Sequence, residues 1–204
     1  MEGMIKSDKS FQYSVAWIDS LDKNGRGVLT SGNHALLDEI TSKKVKNHLE
    51  YKPQTLAKTP NLFPGGILNK FTVSAFNQLW FQKAPHARNN ELQQISTFFH
   101  PLDGIKNWNK IYGKNGFYQY QFVVPDNFRE LIPITLERLR EANAPSFLTV
   151  LKRFGRKNNG FLSFPIEGWT LAVDIPANVQ NILETLNELD LSLIHISEPT
   201  RRTP

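Results

Sequence analysis

The sequence predicts an α+β fold, in which an antiparallel β-sheet has helices covering one face. Two observations support this fold class. Apolar and polar residues alternate with a period of two over 11–17 and 118–124, as is typical of half-buried strands. Apolar residues recur at helical spacing over 126–139 and 178–189, as is typical of helices that bury one side.

The first half of the chain begins with a strand at 11–17, in which every second residue is aromatic or Val. The turn that follows leads into a partner strand at 27–30. A polar, Lys-rich stretch predicts a short helix near 35–40 and then a long surface excursion. Phe-Pro-Gly-Gly at 63–66 is a turn signal, and a mixed apolar segment follows it as far as Trp80. We expect 91–99 to lead into another strand, which Pro101 ends.

The second half is more regular. The strand at 118–124 places Gln119, Gln121 and Val123 on one face, and Pro125-Asp126 then opens a helix. Strands are predicted at 147–154, 161–164 and 169–175, and a helix at 178–189. Strand, helix, strands and helix in this order indicate a ferredoxin-like unit that is incomplete, because one more strand should follow the last helix.

Composition excludes several classes of function. The 204 residues carry 24 Lys plus Arg against 19 Asp plus Glu, and a net charge of +5 is too dilute for a nucleic-acid footprint. The absence of cysteine excludes disulfides, thiolate metal sites and cysteine nucleophiles. The five histidines have no metal-ligand spacing, so we expect no metal. No phosphate-binding loop, nucleophile elbow, signal peptide or membrane-spanning apolar run is present.

A basic run at 152–157 contains the most informative charged residue. Strand alternation places Lys152 on a face with Leu148 and Val150, and Arg153 on the other. A lysine on an apolar face needs an anion or a hydrogen-bond partner, because an unpaired buried ammonium is costly. Lys152 is therefore a candidate site residue, and the alternative is an edge-strand lysine that reaches solvent. A nucleic-acid patch fits the run less well than a solvated turn does.

Gln119 and Gln121 form a second candidate feature. Two carboxamides on one strand face offer paired hydrogen-bond donors and acceptors, which suits a hydroxyl-rich ligand. The alternative is that this face of the strand simply contacts solvent.

The last residues have a different character. Residues 191–201 read LSLIHISEPTR, which equals the translation of the Nextera sequencing adapter. We therefore expect 191–204 to be a non-native, adapter-derived tail, and we exclude His195 from the candidate residues. The alternative is a short strand with a tail that proline interrupts.

Blocks of sequence along 11–190 carry a resemblance. The main ones are FHPLDG at 99–104, WNKIYG at 108–113 and GFYQYQFVVP at 116–125. SVAWID at 14–19 and LSFPI at 162–166 support them. Together they resemble the decaprenylphosphoryl-β-D-ribose 2′-oxidase family, FAD-linked flavoproteins of the vanillyl-alcohol-oxidase class.

The resemblance implies that residues 1–190 are a fragment of the substrate-binding (cap) domain, and that the N-terminal FAD-binding domain of the family is absent from this chain. The family removes hydride from the ribose 2′-carbon to flavin N5, which gives a 2′-keto sugar for arabinose-lipid precursors of the bacterial cell-wall arabinan. The implied cofactor is FAD, bound mainly by the missing domain. The implied partners are a lipid-linked sugar substrate and an NAD(P)H-dependent epimerase or reductase. The location is not determined by the sequence; since no signal peptide or membrane span is visible, we expect a cytoplasmic or membrane-peripheral protein of a bacterium.

The resemblance also assigns roles by position. Lys152 matches the active-site lysine, and Gln119 and Gln121 match the pair beside the flavin ring. The apolar wall of the family's pocket matches Trp17, Leu148, Val150 and Phe154. Phe99, Thr170 and Ala172 stand where the mycobacterial enzymes have Tyr, Asn and Cys, so the identity of the sugar stays open. The alternatives are a sister oxidase of aldonolactones or alditols, and a fragment that is catalytically inert by itself.

Overall fold

The computed structural model describes residues 1–40, 49–51, 55, 57–59, 68–161 and 166–197. In chain order the helices are α1 (Glu2–Ser7), α2 (Lys70–Lys83), α3 (Ile95–Phe99), α4 (Leu131–Glu141) and α5 (Ile182–Ser197). The strands are β1 (Tyr13–Ile18), β2 (Gly27–Gly32), β3 (Ala57–Lys58), β4 (Ile105–Lys106), β5 (Phe117–Pro125), β6 (Thr149–Phe154) and β7 (Gly168–Pro176).

Five strands form one sheet in the order β2-β1-β6-β7-β5, and every neighbouring pair is antiparallel. The short strands β3 and β4 pair in parallel as a separate ribbon. The α+β fold class predicted from the sequence is therefore confirmed. The order β6-β7-β5 is that of a ferredoxin-like unit, and β5 has no partner strand on its outer edge within the described ranges.

The main core lies on the helix-covered face of the sheet. Alternation along β7 directs its large apolar residues to this face, where Trp169, Leu171, Val173 and Ile175 are all inaccessible to solvent. The neighbouring strands add Leu151, Phe122 and Val124. The core is covered by residues of α1, α4 and α5, namely Met4, Ile132, Leu136, Leu139, Ile182 and Leu189.

A glycine is required where β7 begins beside β5. A Cβ atom at Gly168 would lie 2.2 Å from the carbonyl oxygen of Val124 and 2.8 Å from the Cα of Pro125. Both atoms belong to the backbone, so neither can move aside without opening the strand pair. Gly168 therefore lets the longest strand pair of the sheet close at its end.

Two predicted elements of the first half differ from the structure. The strand expected from 91–99 is absent, and these residues instead end in helix α3 over Ile95–Phe99, because periodicity does not separate strand from helix in so short a segment. The predicted helix near 35–40 is a single 3-10 turn, Leu37–Glu39. The predicted turn at 63–66 and strand at 161–164 fall wholly or largely outside the described residues.

The mixed apolar segment before Trp80 is helix α2. Its first turn is capped by Asn69, whose side chain accepts hydrogen bonds from the backbone N–H groups of Phe71 and Thr72. The chain therefore begins a helix where the sequence pattern alone indicated no regular element.

Helix α5 begins at Ile182, later than predicted, and continues through residue 191 to Ser197. It continues because Leu186, Leu189 and Leu193 maintain one apolar stripe against the core. The adapter-derived origin of 191–204 remains a prediction. None of the helices among the described residues is long and apolar enough to cross a membrane.

Candidate functional site

The sheet face away from the main core carries most of the predicted site residues. The strand register aligns their side chains in three rows, because paired residues of neighbouring strands lie on the same face. The rows are Val15, Lys152, Thr170 and Val123; Trp17, Val150, Ala172 and Gln121; and Asp174 with Gln119. The alternation predicted for β5 and β6 is therefore confirmed, although what these residues do remains a prediction.

Half-buried apolar side chains surround the middle row. The indole Nε1 of Trp17 donates a hydrogen bond of 3.0 Å to the carbonyl oxygen of Phe147, which fixes the ring against the start of β6. Val150 is the cross-strand neighbour of Trp17, Leu148 packs on a second buried cluster just before β6, and Phe154 continues the same face at the other end of β6. These residues can form one wall of a binding surface, as the resemblance implies.

The two glutamines are exposed, and both are held by residues of β7. Gln119 Nε2 donates to Asp174 Oδ1 at 2.9 Å, and Gln121 Nε2 donates to Thr170 Oγ1 at 3.3 Å. Each amide directs one N–H to β7, so in this arrangement each carbonyl oxygen, beside the second N–H, is available to a ligand. The pair therefore offers two hydrogen-bond acceptors.

Lys152 is half-buried and makes no hydrogen bond or ion pair with any residue of the described ranges. It lies two strands from Gln121 and one row away, a separation of about 12 Å at the usual interstrand spacing and rise per residue. Its ammonium is therefore available to an anion or a hydroxyl brought to this face.

The neighbouring basic residues have structural partners. Arg153 lies on the opposite face, where it forms ion pairs with Asp126 at 2.7 Å and Asp8 at 3.2 Å. Its guanidinium also stacks on the ring of Trp169, 4.8 Å from the centroid. Arg156 pairs with Glu167 at 3.3 Å. The run at 152–157 is therefore divided between two faces of the sheet and a turn, which argues against a nucleic-acid patch.

Phe99 lies apart from the strand rows, at the end of α3. Its ring meets Tyr13 edge-on, with 5.1 Å between the centroids. Tyr13 precedes Val15 and Trp17 on the same face of β1, so Phe99 covers the β1–β2 end of the candidate face rather than its middle rows.

Sequence reasoning missed Asp174, a carboxyl that is only 1% exposed on the candidate face. Burial raises the pKa of Asp174, and the hydrogen bond from Gln119 partly opposes the increase. Its Oδ2 atom has no partner in the described part of the chain. An acidic residue inside the apolar strand predicted at 169–175, in alternation with Thr170 and Ala172, was the signal that could have identified it.

Tyr112 is the titratable neighbour of Asp174. Burial raises the pKa of the Tyr112 phenol, and the charge of Asp174 raises it further. The Tyr112 hydroxyl also lacks a partner among the described residues. A buried carboxyl thus lies directly opposite Gln119, and a buried phenol is close enough to feel its charge, in surroundings where a charge is costly.

The raised pKa of Asp174 predicts a pH dependence of stability. The carboxyl of Asp174 holds its proton more tightly in the native chain than in the unfolded chain. Its contribution to the free energy of unfolding is therefore complete at low pH and is lost as the pH rises through the native pKa. Urea unfolding between about pH 4 and about pH 7 should therefore show a decline in the free energy of unfolding that Asp174→Asn lacks. Equal pH profiles for the two proteins would contradict this.

Two other features lie away from this face. A pocket between the end of α4 and the start of α5 is lined by Ala142, Asn143, Val179, Gln180, Asn181 and Thr185, and it contains none of the predicted site residues. Among the described residues, no cluster of three or more histidine or acidic side chains could hold a metal ion.

Comparison with known proteins agrees with the sequence blocks. The chain is 39% identical over 187 residues to the decaprenylphosphoryl-beta-D-ribose oxidase of Mycolicibacterium smegmatis, which covers 90% of this chain. It is 25% identical over 200 residues, or 93% of this chain, to an uncharacterized protein in the mprA 5′ region of Streptomyces coelicolor. The chain spans 40% and 54% of the length of these two curated relatives. No protein-family model matches it. The resemblance predicted from the sequence is therefore confirmed.

Proposed function

We propose that this chain is the substrate domain of an FAD-dependent oxidoreductase that oxidises the 2′-hydroxyl of a polyprenylphosphoryl ribose to a 2′-keto sugar. The observation that carries the proposal is the grouping of Gln119, Gln121 and Lys152 on one sheet face. The identity of 39% to an oxidase named for this substrate supports the same reaction. The domain boundaries at 1–190 and 191–204 are part of the proposal.

The residues of this face fit a polar ligand with both hydroxyls and an anionic group. The amide oxygens of Gln119 and Gln121 accept hydrogen bonds from sugar hydroxyls, and the Lys152 ammonium binds the phosphate or a further hydroxyl. Trp17, Val150 and their apolar neighbours exclude water beside the sugar. These interactions orient the 2′-carbon, which is the protein's share in flavin chemistry.

The same face fits FAD as the cofactor. Gln119 and Gln121 are neutral, exposed and held from below by β7, and the edge of a flavin ring requires neutral donors and acceptors of this kind. FAD, when bound, supplies the hydride acceptor. In this proposal most of the cofactor contacts belong to the FAD-binding domain of a longer protein, and this chain provides the substrate side.

The chemistry of the product also suggests a partner. A 2′-keto sugar must be reduced to give the epimeric alcohol, so we propose that an NAD(P)H-dependent epimerase or reductase acts on it next. In this proposal the 204 residues expressed by themselves should be inactive, because most of the cofactor contacts belong to another part of a longer protein.

A second candidate function is a sister oxidase that acts on aldonolactones or alditols. Thr170 and Ala172 favour it, because they stand on the candidate face where the mycobacterial enzymes have Asn and Cys. Ala172 removes a polar side chain directly beside Gln121, so the contacts available to the sugar differ from those in that family.

The flavin absorbance of the intact protein distinguishes these functions. The longer protein that contains this chain, purified with FAD, should lose its flavin absorbance when polyprenylphosphoryl ribose is added without oxygen. An aldonolactone and an alditol serve as controls and should leave the absorbance unchanged. Bleaching by either control, with no response to the lipid-linked ribose, would support the second function and contradict the first.

A further inference from the structure

We propose that Asp174 is a positioning residue that determines which end of the Gln119 carboxamide faces the substrate. The two residues lie directly opposite each other on β7 and β5, so the sheet register itself brings them together. Asp174 is 1% exposed and cannot reach a ligand, whereas Gln119 is exposed. Asp174 therefore acts through Gln119.

An ionised carboxyl can only accept hydrogen bonds. In this form Asp174 Oδ1 requires the NH₂ group of Gln119, which it binds at 2.9 Å, and the amide oxygen then points away from β7. A carboxamide turned the other way would place two oxygens in contact in a buried setting, and neither would have a proton to share. The charge of Asp174 thus makes Gln119 an acceptor toward the ligand.

Gln121 provides an internal comparison. Its partner is the hydroxyl of Thr170, at 3.3 Å, and a hydroxyl can either donate or accept. Thr170 therefore leaves the Gln121 amide free to present its oxygen or its NH₂ group. Of the two glutamine side chains, that of Gln119 therefore has a fixed amide orientation, whereas the amide of Gln121 can turn either way.

The surroundings of Asp174 allow its protonation to reverse this polarity. The side chains that face it are Gln119 from β5 and the buried phenol of Tyr112, and its backbone N–H donates to the carbonyl oxygen of Leu148. No basic side chain of the described residues forms an ion pair with it, and the available cation of this face, Lys152, lies beside Thr170, four residues along β7. Once protonated, Asp174 can donate to the Gln119 oxygen and allow the amide to turn its NH₂ group outward.

This inference rests on the proposed function for its consequence. With Asp174 ionised, the Gln119 oxygen accepts a hydrogen bond from a sugar hydroxyl. It disfavours a ligand group that can only accept hydrogen bonds. Asp174 is therefore a determinant of specificity for a hydroxyl-bearing substrate, although it does not touch that substrate.

Side-chain amide NMR of the full 204-residue chain tests the positioning without substrate or FAD. The ¹H and ¹⁵N shifts of the Gln119 side-chain amide should titrate with a midpoint above the ordinary Asp range, whereas those of Gln121 should not follow that midpoint. Asp174→Asn should abolish the titration, and Asp38→Asn, at an exposed residue, should preserve it. A Gln119 amide that does not respond to pH in the unmodified chain would overturn the proposal, even if Asp174→Asn failed to fold.

Kinetics of the intact flavoprotein test the consequence separately. Asp174→Asn should raise KM for the sugar substrate about 2- to 10-fold, the value of one neutral hydrogen bond, with a smaller change in kcat. It should also remove a pH dependence of KM with the midpoint seen by NMR. An unchanged KM would contradict the specificity role. A flavin that no tested sugar reduces would instead contradict the proposed function and leave the NMR result for the positioning intact.

Discussion

Leu171→Ala should lower the free energy of unfolding by about 3 to 5 kcal/mol, the upper part of the range for buried leucines. Leu171 is 0% exposed on β7, which is an interior strand of the sheet. Its cross-strand partners are Leu151 on β6 and Phe122 on β5, and both belong to the same core cluster. Removing its side chain leaves a cavity between two neighbours that the sheet backbone holds in place, so little of the space can close.

The matched control is Leu183→Ala on α5, where the leucine is 57% exposed. The chemical change is identical, and the expected loss is below about 1 kcal/mol because little apolar surface leaves the core. Urea unfolding of the full chain, followed by tryptophan fluorescence, gives both values. Equal unfolding midpoints for the two variants would show that the core is not centred on β7.

Strands β5 and β6 could be predicted because each has one face that is more buried than the other, whereas the interior strand β7 is buried on both faces. Along β5 the residues Tyr120, Phe122 and Val124 pack toward the core, whereas Gln119 and Gln121 lie on the other side. A period of two then identifies both the strand and its faces. The same alternation placed Lys152 and Arg153 on opposite faces of β6, where the structure has them.

Helix α2 could not be predicted in this way, because the burial of its side chains does not correlate with their hydrophobicity. Phe71 is 83% exposed and Leu79 is 67% exposed, whereas Asn77 is fully buried. The Asn77 side chain donates to Asp19 at 2.7 Å, within a polar contact between distant parts of the chain. Hydrophobic periodicity describes a helix that buries an apolar stripe, and α2 does not bury one.

The sequence predicted individual residues of the candidate site but not how they are arranged relative to one another. Alternation identified Gln119, Gln121 and Lys152 one strand at a time, but the sequence does not reveal that β7 lies between β5 and β6. That pairing is non-local, and it decides which residue of one strand faces which residue of the next. An acidic residue within an apolar strand could have drawn attention to Asp174, but its relation to Gln119 follows only from the register that places them opposite each other.

Lys152→Met should weaken binding of polyprenylphosphoryl ribose to the intact flavoprotein about 10- to 100-fold, the value of a hydrogen bond to a charged group. The methionine keeps the apolar stem of the side chain, which packs along a half-buried face, and removes the ammonium alone. Lys157→Met makes the same change at an exposed position, five residues after Lys152, and should leave binding unchanged.

Two substrates determine which group Lys152 binds. If the ammonium pairs with the phosphate, Lys152→Met and the unmodified protein should bind a polyprenyl riboside without phosphate equally weakly. If the Lys152 ammonium instead donates a hydrogen bond to a sugar hydroxyl, Lys152→Met should lose affinity for both ligands by the same factor. The phosphate then takes no part in the interaction that the variant removes. The dependence of the rate of anaerobic flavin bleaching on ligand concentration, measured for each protein with each ligand, gives the dissociation constants. If Lys152→Met and Lys157→Met have the same affinities for both ligands, Lys152 does not belong to the binding site.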